Sequence, residues 1–136
     1  MADAVDQSLA AIAAGRRITV HGDFDVDGVA ATTIMVTVLR QLGAECDWFI
    51  PDRQEDGYGH SPESVREIAK RGTGLLITVD CGFSSVEEVS ISKSLGMEVI
   101  VTDHHRPGDL LPECTILHPV LGGYPFEDLC GCLLYT

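Results

Sequence analysis

The stretch LLITVDCG, residues 75–82, decides the fold class of this 136-residue chain. Its first five residues are apolar or β-branched without a break, which is typical of a strand covered on both faces in a parallel sheet. An aspartate, Asp80, comes directly after this run. In open parallel sheets, ligands bind beyond the carboxyl ends of the strands, so the position of Asp80 predicts a functional edge.

The rest of the chain alternates between helical and strand-like patterns. Apolar residues at helical spacing predict helices over residues 4–14, 29–42, 61–69 and 84–95. Short β-branched runs predict strands over residues 17–22, 45–51, 75–79, 99–102 and 114–117. This alternation predicts an α/β fold, a Rossmann-like parallel β-sheet with helices on both faces.

Composition limits the classes of function. The net charge of -12, from 21 acidic and 9 basic residues, argues against a broad basic surface that grips DNA. It leaves room for a nuclease centre in which metal ions join acidic side chains to phosphate. No apolar run reaches about 18 residues, so no membrane span is expected. The N-terminus has no secretory pattern, and the five cysteines form no CxxC pair, which predicts a reduced, cytoplasmic protein.

Metal-binding side chains follow three of the predicted strands. The segment HGDFDVDG, residues 21–28, ends the first strand, Asp80 ends the third, and Asp103, His104 and His105 end the fourth. Because adjacent strands lie about 4.8 Å apart, we expect these groups to meet at one edge of the sheet. Carboxylates crowded together repel one another unless cations compensate them. Mixed carboxylate and imidazole ligands favour Mn²⁺, with Mg²⁺ or Zn²⁺ as alternatives.

The pattern of side chains indicates a reaction class. Two ions at such an edge would activate a water molecule and offset charge on a phosphoryl group. The sequence contains no Walker A loop, no GxSxG elbow and no acyl-transfer triad. Metal-assisted phosphoester hydrolysis is therefore the leading hypothesis, with metal ligands among Asp23, Asp25, Asp80 and His104.

Several of the polar residues have alternative interpretations. His21 is either a metal ligand or a partly buried strand residue. Asp27 directly precedes a predicted helix and is expected to be its N-cap more than a ligand. Asp103 either binds metal or orients His104 from behind. His118 is expected to be a surface or packing histidine.

Three segments resemble motifs of a known family. HGDFDVDG, ITVDCG and VTDHH resemble the first three motifs of the DHH phosphoesterase superfamily, named for its Asp-His-His triplet. The loop IPDRQEDGYG, residues 50–59, narrows the resemblance to the RecJ-type branch, which comprises single-strand-specific 5′→3′ DNA exonucleases of bacteria. The resemblance covers essentially the whole chain. Cys81 departs from it, because the family more often has asparagine there.

The resemblance implies a set of roles. Asp23, Asp25, Asp80 and His104 would bind Mn²⁺ or Mg²⁺, with two ions in the complete domain. His105 would contact the scissile phosphate, so the implied catalytic residues are His105, Asp80 and Asp25, and Arg53 would approach the nucleotide. The implied substrate is single-stranded DNA in repair and recombination. Single-strand-binding protein and a helicase are the implied partners.

The resemblance also predicts the domain organisation. Residues 1–136 would form a single, truncated DHH domain. The fourth motif with its further metal-binding aspartate, the DHH-associated domain and the nucleic-acid-binding domain would lie outside this sequence. Two alternative functions stay open: a DHH-family oligoribonuclease or cyclic-dinucleotide phosphodiesterase, and a non-catalytic metal-binding interaction module. The loop at residues 50–59 speaks against the first, and the missing fourth motif supports the second for this chain alone.

Overall fold

A computed structural model of the chain describes residues 1–51, 61–106, 108, 110–119 and 121. Its helices and strands follow one another in the order α1 (Ala2–Ala13), β1 (Arg17–Gly22), α2 (Val26–Gln41), β2 (Cys46–Phe49), α3 (Pro62–Lys70), β3 (Thr73–Val79), α4 (Val86–Ser94), β4 (Glu98–Thr102) and β5 (Thr115–Leu117). No helix in these parts of the chain is both long and apolar enough to cross a bilayer.

The five strands form one parallel sheet in the order β2-β1-β3-β4-β5. This confirms the predicted α/β fold. The strands β2 and β3 lie on opposite sides of β1, so the winding of the chain reverses between β1 and β3. Sheets of this order bind ligands at that switch point, beyond the carboxyl ends of the strands.

The apolar run of β3 contributes side chains to the cores on both faces of the sheet. Leu75, Ile77 and Val79 point into a core that also contains buried residues of α1 and α2. Leu76, the residue between them, belongs to a second core that contains buried residues of α3 and α4. Since alternate residues of a strand point to opposite faces, a strand between two cores must be apolar throughout. The helices therefore cover both faces, as the sequence predicts.

The starts of the helices agree only partly with the sequence. Ser61 caps α3 in a reciprocal capping box with Ser64, and Pro62 is the first residue of the helix, which agrees with the predicted start at residue 61. Ser85 is the N-cap residue of α4, but its side chain makes no capping hydrogen bond.

The prediction that Asp27 caps α2 is wrong. The N-cap residue is Asp25, whose backbone is extended and whose Oδ1 accepts a hydrogen bond from the N–H of Gly28 at 2.9 Å. Asp27 already lies in the first helical turn, where its negative charge favours the positive end of the helix dipole.

Candidate metal centre

The segment between β1 and α2 brings two aspartates to the edge of the sheet. Oδ1 of Asp23 accepts a hydrogen bond from the N–H of Phe24 at 2.7 Å, and Asp25 caps α2. Gly28 packs directly on the main chain of Asp23, because a Cβ at Gly28 would lie 2.4 Å from Asp23 O and 2.6 Å from Asp23 N. The close approach of α2 to this segment therefore requires glycine at position 28.

Asp80 stands at the end of β3 in a left-handed backbone conformation, with φ of 61°. Its N–H donates to Thr102 O at 2.9 Å, which ties it to the end of β4. Oδ1 lies 2.8 Å from Nε2 of His104. Oδ2 is buried and has no hydrogen-bond partner among the described residues. A buried carboxylate oxygen without a partner is costly, so this atom marks a place where a ligand would be stabilising.

The electrostatic surroundings of Asp80 also indicate that a bound ligand would be stabilising there. Burial, together with the negative charge of Asp25, raises the pKa of Asp80 to about 6, although His104 and His105 lower it in part. Both causes disfavour the ionised carboxylate. A bound cation would offset both of them.

The structure brings three of the predicted site residues together into one group. One ligand atom from each of Asp80, His104 and His105 lies within 4.8 Å of the other two. A carboxylate with two imidazoles fits Mn²⁺ and other first-row transition metals. Asp23 and Asp25 lie outside this group of three but act on it through their charges, since Asp25 raises the pKa of Asp80 and Asp23 raises that of His105. The residues present therefore fit a divalent cation.

Asp103 accepts hydrogen bonds from the turn that carries His104 and His105. Its Oδ1 accepts hydrogen bonds from the N–H groups of His104 and His105 and from Nδ1 of the His105 ring, and its Oδ2 accepts one from the N–H of Phe83. Burial raises the pKa of Asp103, but these hydrogen bonds outweigh it, so the pKa lies below its ordinary value. Asp103 also accepts a hydrogen bond from the main-chain N–H of His104 at 2.7 Å, and its expected role in orienting His104 stays a prediction. The ring that it holds is that of His105, because the tight turn places Nδ1 of His105 at 2.8 Å.

His105 is the most exposed member of the group, with 58% of its side chain accessible. Burial lowers its pKa, but the hydrogen bond and charge of Asp103, with the charges of Asp80 and Asp23, outweigh that effect and raise the pKa above 6.5. Because Nδ1 is engaged with Asp103, Nε2 is the nitrogen through which this ring can meet a ligand.

His21 lies beneath the edge rather than in the group of three. It is fully buried, its ring stacks on Phe49 with centroids 5.3 Å apart, and its Nδ1 lies 3.6 Å from Sγ of Cys81. Burial lowers its pKa to about 4, so the ring is neutral near neutral pH. A ligand role for His21 stays a prediction. Arg53 lies outside the described residues.

One contact of the site was missed by sequence reasoning. His118 is buried, as the packing interpretation expected, but its Nε2 also lies 2.7 Å from the main-chain oxygen of His105. The only available signal was a polar residue directly after the predicted fifth strand.

The fold and these side chains define an α/β domain with a candidate metal site of one carboxylate and two imidazoles at the switch point of its sheet. Residues 17–136 match the family described as "DHH family, N-terminal domain". The chain therefore belongs to the DHH family, which confirms the resemblance seen in the three motifs.

Individual relatives show which members of the DHH family this chain is similar to. The single-stranded-DNA-specific exonuclease RecJ of Bacillus subtilis (strain 168) is 44% identical over 134 residues, which is 96% of this chain and 17% of that protein. The RecJ of Escherichia coli (strain K12) is 48% identical over 121 residues, 86% of this chain and 21% of that protein. A crystal structure of exonuclease RecJ bound to manganese superposes with a TM-score of 0.87 and 42% identity, over 95% of this chain and 33% of that one. The chain thus resembles RecJ proteins in sequence and fold but spans only a minor part of their length.

Proposed function

We propose that this chain forms the metal-binding part of a Mn²⁺- or Mg²⁺-dependent exonuclease that hydrolyses the phosphodiester bonds of single-stranded DNA. The observation that carries the proposal is the buried Oδ2 of Asp80, which has no hydrogen-bond partner in the described parts of the chain and lies within the group formed with His104 and His105. Similarity to RecJ proteins supports single-stranded DNA as the substrate. The 5′→3′ direction and a role in repair and recombination are proposed from the family resemblance, and a cytoplasmic location is proposed from the scattered cysteines.

Each acidic residue has a task in this proposal. Asp80 and His104 hold the first ion, and Asp23 and Asp25 provide the carboxylates for binding a second. An ion held there would supply Lewis-acid chemistry, lowering the pKa of a bound water and neutralising charge on the phosphate. The N-cap hydrogen bond of Asp25 and the main-chain hydrogen bond of Asp23 keep both carboxylates at the edge before any ligand arrives.

His105 is proposed to bind the scissile phosphate. The carboxylate of Asp103 can only accept, so Nδ1 of His105 must be the donor in that hydrogen bond. The raised pKa of His105 favours the imidazolium form, in which Nε2 also carries a proton. A proton on Nε2 can be donated to a phosphate oxygen, which stabilises the charge that develops there during hydrolysis.

Calorimetry with Mn²⁺ tests the metal site. The substitution Asp80→Asn removes the charge but keeps a side chain that tolerates the left-handed backbone at this position. We expect the affinity for Mn²⁺ to fall by more than about tenfold. Asp6→Asn is the matched control, because Asp6 is exposed on α1 and far along the chain from the site. Unchanged affinity in Asp80→Asn would contradict the assignment of this residue.

Hydrolysis assays separate the alternative functions. We expect Mn²⁺-dependent release of mononucleotides from long single-stranded DNA, and no release by Asp80→Asn. Preferential hydrolysis of dinucleotides or cyclic dinucleotides would favour the oligoribonuclease or phosphodiesterase alternative. Mn²⁺ binding without hydrolysis of any of these substrates would favour the non-catalytic module.

Two further proposals rest on the resemblance alone. Arg53 is proposed to contact the nucleotide, so that Arg53→Ala should raise KM for single-stranded DNA more than it lowers kcat. Single-strand-binding protein and a helicase are proposed as partners, and pull-down with each purified protein is the direct test.

A further inference from the structure

The turn that carries the Asp-His-His triplet is held from two sides. On one side, the carboxylate of Asp103 binds the N–H and the ring Nδ1 of His105 at 3.0 and 2.8 Å. On the other side, Nε2 of His118 lies 2.7 Å from the carbonyl oxygen of His105. Both main-chain polar groups of His105 and one of its ring nitrogens are therefore fixed.

His118 reaches this position because of the pairing between β4 and β5. Thr102 is the register partner of Leu117, and the N–H of Asp103 donates to Leu117 O at 3.1 Å. The residue after Leu117 is thereby placed beside the triplet. His118 is only 3% exposed. A carbonyl oxygen has no proton to give, so Nε2 of His118 is the donor in its contact with His105.

The ring of His118 has a second neighbour. It stacks on Phe83 with centroids 4.2 Å apart and planes 24° apart, and the N–H of Phe83 donates to Oδ2 of Asp103. The turn, the loop after β3 and the end of β5 are thus connected through contacts of His118 and Asp103. Movement of any one of them would displace the ring of His105.

We infer that His118 is a positioning residue. By donating a hydrogen bond to the His105 carbonyl, it holds the ring of His105 in place beside Asp80 and His104. The inference rests on the proposed function in one respect, since His105 is the residue proposed to bind the phosphate. His118 itself touches neither metal nor substrate in this scheme. A positional error of about 1 Å in a group that acts on the reacting atoms costs on the order of 100-fold in rate.

Two substitutions separate the hydrogen bond from simple packing. His118→Phe keeps a ring of similar size that can stack on Phe83 but removes the donor. His118→Gln removes the ring but keeps an amide nitrogen that can reach the same carbonyl as Nε2. A positioning role requires that Gln retain the function and Phe lose it, whereas a packing role requires the reverse.

The kinetic test uses the protein with Mn²⁺ and single-stranded DNA. For His118→Phe we expect kcat to fall by about 10- to 100-fold, with KM and the calorimetric affinity for Mn²⁺ within about threefold of the wild type. For His118→Gln we expect kcat within about threefold of the wild type. The inference is wrong if the Phe variant keeps its kcat, or if the Gln variant loses as much as the Phe variant. Urea unfolding of both variants shows whether either fails to fold.

Amide hydrogen exchange provides a readout that does not depend on activity. Loss of the hydrogen bond in His118→Phe should speed exchange of the His105 amide by about tenfold, with the amide of Val101 in β4 unchanged as the internal control. If the wild type hydrolyses no DNA, the proposed function fails while this measurement still decides the inference. Unchanged exchange at His105 in the Phe variant, or equally fast exchange in the Gln variant, would overturn it.

Discussion

The substitution Asp103→Asn tests how the triplet is held. Asp103 is almost fully buried, and its two carboxylate oxygens accept hydrogen bonds from four N–H groups. Asparagine has nearly the same shape but only one acceptor oxygen. If that oxygen keeps the three donors at Oδ1, the new amide group faces the N–H of Phe83, which lies 3.0 Å from Oδ2 in the wild type. Two hydrogen-bond donors, the new amide group at position 103 and the N–H of Phe83, would then face each other with no acceptor between them in the protein interior.

The magnitude follows from the bonds that are lost. A hydrogen bond to a charged acceptor contributes about 1.5–3 kcal/mol, and a buried N–H left without a partner costs about 1–3 kcal/mol. These two effects overlap in part, and the three remaining bonds weaken because their acceptor is now neutral. We therefore expect the free energy of unfolding to fall by about 3 kcal/mol, which for a chain of this size corresponds to a decrease in Tm of roughly 10 °C.

The assay is urea and thermal unfolding in the presence of a chelator, so that metal binding does not enter the comparison. The matched control is Asp6→Asn, the same chemical change at an exposed position of α1, which should stay within about 0.5 kcal/mol of the wild type. A stability of Asp103→Asn within the same margin would refute the account of Asp103 as the residue that holds the turn.

Two further predictions concern the edge of the sheet and its surface. Gly28→Ala should destabilise the protein by about 3 kcal/mol in thermal unfolding, because the new Cβ would lie 2.4 Å from Asp23 O. The same change in a helix with open space at that position stabilises the helix, so a variant more stable than the wild type would contradict the close approach. The pKa of Glu98 lies below its ordinary value of 4.5 because of hydrogen bonds from Arg16 and Gln7. Glu98 therefore stabilises the fold above its ordinary pKa and loses that contribution as the pH falls through its lowered value. Glu98→Gln should lower the free energy of unfolding by less than about 1 kcal/mol near neutral pH and leave it unchanged in strong acid. An equal loss of stability at both pH values would exclude an electrostatic origin for the contribution of Glu98.

Much of the candidate site could be predicted because its chemistry is placed at the ends of strands. The acidic segment after β1, Asp80 and the triplet each follow an apolar run, and parallel strands end at one edge. Residue type alone could not choose the helix cap, because Asp25 and Asp27 are equally acceptable caps. In the folded chain Gly28 packs on the main chain of Asp23 and the helix begins at Val26, so that Asp25 is the cap.

The partners of the polar groups were decided by tertiary structure. Asp103 is next to His104 in sequence, yet the turn gives its carboxylate the ring of His105. His118 lies far from the triplet along the chain, and only the register of β4 with β5 places it on the His105 carbonyl.

Sequence patterns predicted the parallel α/β sheet, the helices on both of its faces and the edge that carries the candidate metal ligands, because hydrophobic periodicity and residue type are local properties of the chain. Tertiary structure alone decided that Asp25 caps α2, that Asp80 keeps a buried oxygen without a partner among the described residues, and that Asp103 and His118 hold His105. The reason is that a hydrogen bond depends on distances of a few tenths of an ångström between atoms from separate strands. Those distances are set by strand register and by close contacts such as that of Gly28, which no local pattern records.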